Sequence, residues 1–377
     1  MKKIITALLA LTFILTSLAA CGRKSVTDGV YSTEEELRVV GTIGEYEVLF
    51  DEYRYVVVSC RDMMENKYGE GIWDDETSAK QYEEELRKMV MERITANYAV
   101  LSLCAQHGYK NALTDKETIK QVDATIDALL YEHAVQNKIQ VSVSQGMNGE
   151  LKYKYEKGGL DKAYSHLRRE LYDYNLTERV MRLTLGVEYA FEVLINLLTA
   201  KENIVIYKDS DIEDFMFSDQ FICTRHIFIQ NDKGDDVEAN RNLADEALEK
   251  YRKGEMSMDK LIGSVYNEDV TTAYEGNYFT RGEMEIAYEN AAFALKEGEV
   301  SEVIEGEHGF YIIERRAKSN TYMLSNFETF ATQITYAIVN SMVREHQAEL
   351  SLALNEYGSS LVLYNIPATR TEEDEAK

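Results

Sequence analysis

Cysteine and histidine side chains are well suited to nucleophilic and metal chemistry, and this chain has four cysteines and six histidines. Cys60, Cys104 and Cys223 are widely spaced and belong to no C-x-x-C pair, so we interpret them as buried thiols; whether two of them form a disulfide stays open. The chain contains no H-E-x-x-H, G-x-S-x-G or P-loop pattern. These observations argue against proteolysis, other hydrolysis and nucleotide chemistry, and we expect neither a metal nor a cofactor.

The fourth cysteine, Cys21, follows a segment typical of secretion. Lys2 and Lys3 precede an uncharged apolar run at 4–18, which is too short for a membrane span of about 20 residues. The sequence L-A-A-C that ends at Cys21 is similar to the lipobox of bacterial lipoproteins, whose cysteine receives a diacylglycerol. Residues 1–20 are therefore expected to be a cleaved signal peptide, and Cys21 to be lipidated and to tether the protein to the extracytoplasmic face of the cell membrane. The alternative is an ordinary secreted protein cleaved near the same small residues.

The chain is strongly acidic, with a net charge of −25, and removal of residues 1–20 would take away two positive charges. A surface of this sign repels a phosphate backbone, so nucleic-acid binding is disfavoured. Without residues 1–20 the chain is still long enough for two domains of about 100–200 residues each.

The elements that must position any functional residue begin with long helices. The chain has one proline, Pro367, where a usage of about 5% predicts many more. After a strand-like opening at 39–50, helical periodicity dominates to about residue 216 and predicts a helical domain over 21–216. Within it, residues 75–106 form a predicted helix, and T-D-K-E at 114–117 indicates a capping box that opens the next one. Five tyrosines form either a peptide-holding surface or helix-packing faces: Tyr153, Tyr155, Tyr164, Tyr172 and Tyr174.

Between residues 217 and 318 the pattern changes, because short β-type runs alternate with helices. Residues 221–229 have the composition of a buried strand. Amphipathic helices are predicted over 236–254 and 258–265.

The C-terminal segment 319–370 is predicted to contain one long helix over 320–356 and then a strand at 361–366. We expect this segment to pack back on the helical domain. Residues 371–377 form an acidic tail.

Five sequence blocks within 217–318 carry a family resemblance. They read T-R-H-I at 224–227, Y-N-E-D at 266–269, Y-F-T-R-G-E-M at 278–284, Y-E-N-A-A-F-A-L-K-E-G-E-V-S at 288–301 and H-G-F-Y-I-I at 308–313. This series resembles the parvulin peptidyl-prolyl isomerase domain, and the layout of the flanking segments resembles extracytoplasmic foldases of the PrsA and SurA kind. The resemblance implies an α+β fold class. In it, a mostly helical SurA-N-like chaperone domain, built from the N- and C-terminal segments, contains an inserted parvulin domain with a small antiparallel sheet flanked by helices.

The parvulin resemblance also implies the catalytic residues. His226 matches the first core histidine of the family, and Asp269 matches the acidic or cysteine position beside it. Tyr311 stands where the family normally has a second histidine. A phenol can donate and accept a hydrogen bond but cannot form the same histidine pair, so we expect an altered polar network and modest activity.

The resemblance implies substrate-binding residues as well. Met284 and Tyr288 match the apolar and aromatic walls of the family's proline pocket, and Phe279 falls nearby. The loop before Phe279 reads Y-E-G-N-Y-F at 274–279, where the family has G-G-D-L-G-Y-F. It lacks the glycine pair and the leucine wall, so we expect a weaker grip on proline.

The implied function is that of a membrane-anchored foldase, a peptidyl-prolyl cis-trans isomerase whose partners are unfolded or partly folded secreted polypeptides. The alternative is a chaperone with a degenerate, binding-only parvulin domain. A solute-binding lipoprotein is a weaker third interpretation, because the helical first half lacks the alternating strands and helices of such proteins. Whether the helical arms form a homodimer is left open.

Overall fold

A computed structural model of the protein describes residues 33–69, 71–146, 149–199, 209–231, 236–269 and 276–366. The predicted signal peptide, Cys21 and the acidic tail at 371–377 lie outside these residues. The chain divides into unit 1, Met1–Asn196 with Val343–Lys377, and unit 2, Leu197–Met342. Unit 2 is thus inserted in sequence between the two segments of unit 1, which agrees with the predicted fold class.

Unit 1 is mainly helical. Its N-terminal segment contains α1 (Thr33–Glu36), β1 (Val39–Ile43), β2 (Tyr46–Leu49), α2 (Phe50–Tyr68), α3 (Glu76–Gln106), α4 (Lys116–Gln136), β3 (Val141–Gln145), β4 (Leu151–Tyr155), α5 (Gly159–Asp173) and the greater part of α6 (Glu178–Thr199). A 3₁₀ turn at Ala112–Thr114 precedes α4. Every helix in the described ranges is too short or too polar to cross a lipid bilayer.

Helix α3 is the helix predicted over 75–106. It begins where the Asp75 carboxylate accepts hydrogen bonds from the backbone N–H groups of Thr77 and Ser78, at 2.9 and 3.0 Å. Its buried residues recur every three or four positions and include Leu86, Val90, Ile94, Tyr98, Leu101 and Cys104. Helical periodicity alone therefore located this element.

Helix α4 is also present where it was predicted, but its cap differs. Asp115, and not Thr114, is the N-cap, and its carboxylate accepts from the N–H groups of Glu117 and Thr118. Thr114 belongs to the preceding 3₁₀ turn. The expected capping box is therefore wrong by one residue, because an aspartate directly before the helix satisfies the free N–H groups by itself.

The helical pattern that was expected to dominate to about residue 216 is interrupted at β3 and β4, which form an antiparallel hairpin. Tyr153 and Tyr155 lie two residues apart on β4 and therefore point to the same side of the hairpin. The ring of Tyr153 lies 5.2 Å from that of Tyr131 on α4, and Tyr155 packs against the apolar core between α4 and α5. Tyr164 and Tyr174 pack against the same core, so these four tyrosines favour the packing alternative. The side chain of the fifth, Tyr172, lies outside the described part of the structure.

Unit 2 contains a four-stranded antiparallel sheet with strand order β6-β5-β8-β7. Its elements are α7 (Asp209–Phe217), β5 (Phe221–Gln230), α8 (Val237–Arg252), α9 (Met258–Ile262), β6 (Asn277–Thr280), α10 (Ile286–Ala294), β7 (Ile304–Glu305), β8 (Gly309–Arg316), α11 (Asn320–Ser325) and the greater part of α12 (Phe327–Gln347). The longest pairing joins β5 to β8, from Cys223 opposite Arg316 to Gln230 opposite Gly309. The predicted strand and the two predicted helices of this segment are all present.

Helices cover both faces of the sheet. On one face Ile227 and Ile312 pack against α8 and α9, through Leu248 and Leu261 among others. On the other face Ile222, Ile313 and Phe279 pack against α10. Because strand residues alternate between the two faces, this arrangement fixes which side chains of β5 and β8 share a face with α10.

The C-terminal segment differs from its prediction in three ways. The single helix expected over 320–356 is broken at Asn326 and ends at Gln347, giving α11 and α12. A strand, β9 (Ala353–Leu354), pairs with β1. The segment 361–366, where a strand was expected, instead contains a 3₁₀ turn at Leu363–Asn365, which follows α13 (Glu356–Ser360). Residues up to Met342 belong to unit 2, so only Val343 onward lies in unit 1.

The physical reason for the last difference is the core that α11 and α12 join. Met323, Phe330 and Ile334 are buried against Phe221 of β5 and Met216 of α7, all within unit 2. The apolar face that the periodicity detected therefore covers the sheet of the inserted unit. Periodicity shows that a face is buried but not which partner buries it.

Candidate functional site

Strand β5 presents alternate side chains to the face covered by α10. Ile222 packs in the core under α10, and with a period of two Thr224, His226 and Phe228 follow on the same side. Opposite them on β8, Ile313 pairs with His226 and Tyr311 pairs with Phe228. The two central strands therefore bring His226 and Tyr311 onto one face.

His226 is the centre of the site and is 5% exposed. Its Nε2 lies 2.9 Å from Asp269 Oδ2, and its Nδ1 lies 3.0 Å from the phenol oxygen of Tyr288. Burial lowers the pKa of His226, although the hydrogen bond and negative charge of Asp269 act in the opposite direction. The imidazole is therefore neutral at physiological pH, and the structure brings His226 and Asp269 together as the sequence predicted.

Asp269 is held in place by the segment that follows α9. Asn267 accepts a hydrogen bond from the backbone N–H of Phe228 at 3.0 Å and donates from its amide to the backbone oxygen of Asp269 at 2.8 Å. The N–H of Glu268 donates to the backbone oxygen of Phe228 at 2.8 Å. Strand β6 pairs with β5 only as far as Thr224, so these residues occupy the free edge beyond it.

Sequence reasoning missed the part that Asn267 plays. Its side chain satisfies backbone groups on both sides of the site and thereby fixes Asp269 next to His226. The signal available was the position of Asn267 in the Y-N-E-D block, two residues before the carboxylate.

Tyr288 and Phe279 lie too deep in the domain to contact a substrate as pocket walls. Tyr288 is 0% exposed and Phe279 is 2% exposed, with 5.9 Å between their ring centroids. The Tyr288 phenol lies between His226 Nδ1 and the Thr224 hydroxyl, which is 2.8 Å away. Tyr288 therefore supports His226 from below the face, and Phe279 packs in the core under α10.

Tyr311, Met284 and Phe228 are partly exposed around His226. The Tyr311 ring stacks on that of Phe228, with 4.6 Å between centroids, and meets the His226 ring edge-on at 5.7 Å. Met284 packs beside them, against the core under α10. Phe228 was missed by the sequence analysis, although its position two residues after His226 on a strand places it on the same face.

The Tyr311 phenol stays protonated at physiological pH. Burial and the neighbouring Glu285 carboxylate raise its pKa. Burial also raises the pKa of Glu285 itself, while a hydrogen bond from the Glu307 N–H at 3.0 Å opposes that shift. His308, the nearby histidine, is exposed on the loop before β8.

The chemistry open to this face is hydrogen bonding beside an apolar surface. Within the described ranges, no three or more histidine, cysteine or acidic side chains converge in a way that could hold a metal ion. Burial raises the pKa of Tyr288 as well. The phenols of Tyr288 and Tyr311 are therefore hydrogen-bond donors and not nucleophiles at neutral pH. The arrangement suits binding and polarisation of a neutral group such as an amide.

Comparison with known proteins supports a family for this segment. Residues 226–317 match the protein family described as "Rotamase: PPIC-type PPIASE domain". The chain is 40% identical to the peptidyl-prolyl cis-trans isomerase pin1 of Schizosaccharomyces pombe over 83 residues, which cover 21% of this chain and 46% of that protein. The chain thus spans about half the length of that relative.

A second relative matches over most of the chain. The foldase protein PrsA of Caldanaerobacter subterraneus subsp. tengcongensis is 22% identical over 321 residues, covering 83% of this chain and 82% of that protein. The solved structure of foldase protein PrsA from Streptococcus pneumoniae matches at 18% identity with a TM-score of 0.31, covering 68% of this chain and 83% of the other. The family match at residues 226–317, which carry His226, Asp269 and Tyr311, identifies this segment as a PPIC-type, or parvulin-type, peptidyl-prolyl isomerase domain.

Proposed function

We propose that this protein is a foldase which catalyses cis-trans isomerisation of X-Pro bonds in unfolded secreted polypeptides. The observation that carries the proposal is the His226–Asp269 hydrogen bond at 2.9 Å on a face lined by apolar side chains, within a parvulin domain. Rotation about an X-Pro bond has a barrier of about 18–20 kcal/mol, because the amide loses its conjugation. No nucleophile, metal or cofactor is needed to lower it.

The catalytic contribution of Asp269 follows from the charge distribution of an amide. A planar amide carries more negative charge on its oxygen than a twisted one, because conjugation is lost on rotation. A carboxylate held beside that oxygen by His226 raises the energy of the planar states relative to the twisted state, which lowers the barrier. Met284 and Phe228 offer the apolar surface against which the proline ring packs, so binding and rotation occur at one face.

The alternative function is a chaperone whose parvulin domain only binds proline-containing segments. Tyr311 favours this alternative, because it replaces the second histidine that the parvulin resemblance implies. The similarity to a PrsA foldase along most of the chain is compatible with either function.

Refolding of a secreted protein with a proline-limited slow phase separates the two functions. The full chain is expected to accelerate that phase, and His226→Gln to remove most of the acceleration. A client in which the limiting proline is replaced serves as the control, because its slow phase is absent and should gain nothing. A higher refolding yield with an unchanged slow phase would establish the binding-only function instead.

We also propose that the protein acts at the extracytoplasmic face of the cell membrane, tethered through a lipid on Cys21. The support is the signal-like segment that ends in L-A-A-C. Two acyl chains give stable anchoring, since each buried CH₂ contributes about 0.8 kcal/mol. A tether of this kind would keep the foldase close to clients that leave the export channel unfolded.

Cell fractionation tests the anchor. The full-length protein is expected in the membrane fraction and Cys21→Ala in the soluble fraction, with the same circular dichroism spectrum for both. The matched control is Cys60→Ala, because Cys60 is a buried thiol far along the chain and its loss should leave the protein in the membrane fraction. Membrane retention of Cys21→Ala would refute the lipid tether.

A further inference from the structure

A buried series of hydrogen bonds runs beneath the open face of the parvulin domain. It joins the Thr224 hydroxyl to the Tyr288 phenol at 2.8 Å, the phenol to His226 Nδ1 at 3.0 Å, and His226 Nε2 to Asp269 at 2.9 Å. Thr224 and Tyr288 are both 0% exposed. Polar groups buried this deeply are costly unless they are hydrogen-bonded, so the pairing of the phenol is strongly constrained.

The direction of each bond follows from the available protons. The Asp269 carboxylate accepts, so His226 Nε2 carries the proton that it donates. The buried imidazole is neutral, because burial lowers its pKa, and its Nδ1 is therefore an acceptor. Tyr288 must then donate to Nδ1, and the Thr224 hydroxyl must donate to the Tyr288 oxygen. The protons of His226 Nε2, the Tyr288 phenol and the Thr224 hydroxyl are thus each assigned to a single hydrogen bond.

The ring geometry supports the same arrangement. The Tyr288 ring stands almost perpendicular to the His226 ring, at 86° with 5.4 Å between centroids, so the phenol oxygen can approach Nδ1 in the imidazole plane. Thr224 and His226 are two residues apart on β5 and share a face, which lets one phenol oxygen contact both.

We propose that Tyr288 is a positioning residue, which holds the His226 imidazole in its Nε2–H tautomer with Nε2 directed at Asp269. The inference rests on the proposed isomerase function, because the orientation of Asp269 matters to catalysis only if amide rotation occurs at this face. Tyr288 and Asp269 bind opposite ring nitrogens and favour the same tautomer. Both nitrogens of His226 are thereby bonded without a second histidine at position 311.

The kinetic test uses Tyr288→Phe in the full chain, which keeps the ring and removes the hydroxyl. The expected result is a fall in kcat of about tenfold for an X-Pro peptide, since one buried hydrogen bond is lost, with KM unchanged because Tyr288 is buried away from the substrate. The matched control is Tyr278→Phe, which removes another buried phenol, one that accepts from the Ser319 N–H at 2.9 Å. This control should leave both constants unchanged.

The spectroscopic test measures ¹⁵N shifts of the His226 ring in the full chain labelled at histidine, assigned with His226→Gln. We expect a protonated Nε2 and a hydrogen-bonded acceptor at Nδ1, and Tyr288→Phe should move Nδ1 to the shift of a free acceptor. Asp269→Asn should keep the Nε2–H tautomer, because Tyr288 still donates to Nδ1. The double variant Asp269→Asn/Tyr288→Phe should populate both tautomers.

These two tests separate failure of the inference from failure of the proposed function. If the protein does not accelerate isomerisation at all, the proposed function fails while the ¹⁵N shifts still decide the role of Tyr288. A proton on Nδ1 in the unmodified protein would overturn the inference. Unchanged Nδ1 shift and unchanged kcat in Tyr288→Phe would overturn it as well.

Discussion

Tyr311 is the residue that most separates this site from the family pattern. Its ring stacks on Phe228 and meets His226 edge-on, so it contributes surface beside the imidazole. The hydrogen bonds of His226 go instead to Asp269 and Tyr288. The hydrogen-bonded network of His226 therefore extends below the face and does not include Tyr311. A different hydrogen-bonding side chain could replace Tyr311 without breaking that network.

We predict that Tyr311→His raises kcat/KM for an X-Pro peptide severalfold. The imidazole is smaller than the phenol and adds a second hydrogen-bonding nitrogen beside the bound amide. The native Tyr311 phenol, in contrast, stays protonated and stacked on Phe228. The comparison is with Tyr311→Phe, which keeps the stacking and removes the hydroxyl and is expected to change the rate little. Equal rates in the histidine and phenylalanine variants would show that position 311 has no polar role.

Motif-carried residues could be predicted from sequence, whereas residues that act through packing could not. His226 and Asp269 were found together because two short blocks of the parvulin series contain them. Tyr288 was assigned to a pocket wall, because sequence does not show the depth at which an aromatic ring on α10 lies. Its hydroxyl and its burial become informative only once the register of β5 is known.

The pairing of β5 with β8 positions the site and depends on one glycine. Gly309 begins β8 with a φ of 152°, and a Cβ there would lie 2.1 Å from the backbone oxygen of Ile229 and 2.9 Å from the Cα of Gln230. Both contacts are with backbone atoms of β5, so the strand itself would have to move.

We predict that Gly309→Ala lowers the free energy of unfolding of unit 2 by about 3 kcal/mol, because it combines backbone strain with displacement of β5. Hydrogen exchange of the β5 and β8 amides at increasing urea concentrations measures this change in the free energy of unfolding. Gly298→Ala is the matched control: its φ of 85° is also unfavourable for alanine, but a Cβ there meets nothing within 4 Å, so about 1 kcal/mol is expected. Equal losses in the two variants would contradict the role given to the β5 contact.

Elements with a clear period were predicted well, and elements whose partners are distant in sequence were not. Helix α3 follows from its apolar spacing, since a helix buries one face whatever covers it. The β3–β4 hairpin was missed because L-K-Y-K-Y alternates over only five residues and continues a tyrosine pattern seen in the helices. Strand β9 is two residues long and exists through its pairing with β1, more than 300 residues earlier in the chain.

At the scale of the molecule, the domain order could be predicted but the exact boundary could not. The parvulin blocks marked the inserted segment, and the structure assigns Leu197–Met342 to unit 2. The return to unit 1 occurs inside α12, where no change of composition marks it. A boundary within a continuous helix leaves no turn signal for sequence analysis to detect.

Unit 1 contains a buried acidic pair beside one arginine. Asp51 and Glu52 are each 1% exposed; Arg179 binds Asp51 through two nitrogens, and the Tyr98 phenol donates to Glu52 at 2.8 Å. Burial raises the pKa of Glu52 to about 7, against the lowering effects of the Tyr98 hydrogen bond and the Arg179 charge. Glu52 therefore binds its proton more tightly in folded unit 1 than in the unfolded chain.

We predict that Glu52 contributes most to the free energy of unfolding of unit 1 below about pH 4.5. This contribution is lost as the pH rises through about 7. The loss is about 3 kcal/mol, from 1.36 kcal/mol per pKa unit over the shift. Trp73, the one tryptophan of the chain, lies in unit 1 and reports its unfolding in urea. Glu52→Gln should remove this part of the pH dependence, and an identical dependence in the variant would rule out Glu52 as its source.

The most direct test of the account is the rate of cis-trans exchange of an X-Pro peptide, measured by NMR exchange spectroscopy with increasing amounts of the full chain. The account predicts that the exchange rate rises in proportion to protein concentration, and that His226→Gln loses most of the increase while keeping its fold. An exchange rate equal to that in buffer at every concentration would contradict catalysis by the parvulin domain. An undiminished rate in His226→Gln would contradict the site assigned to it.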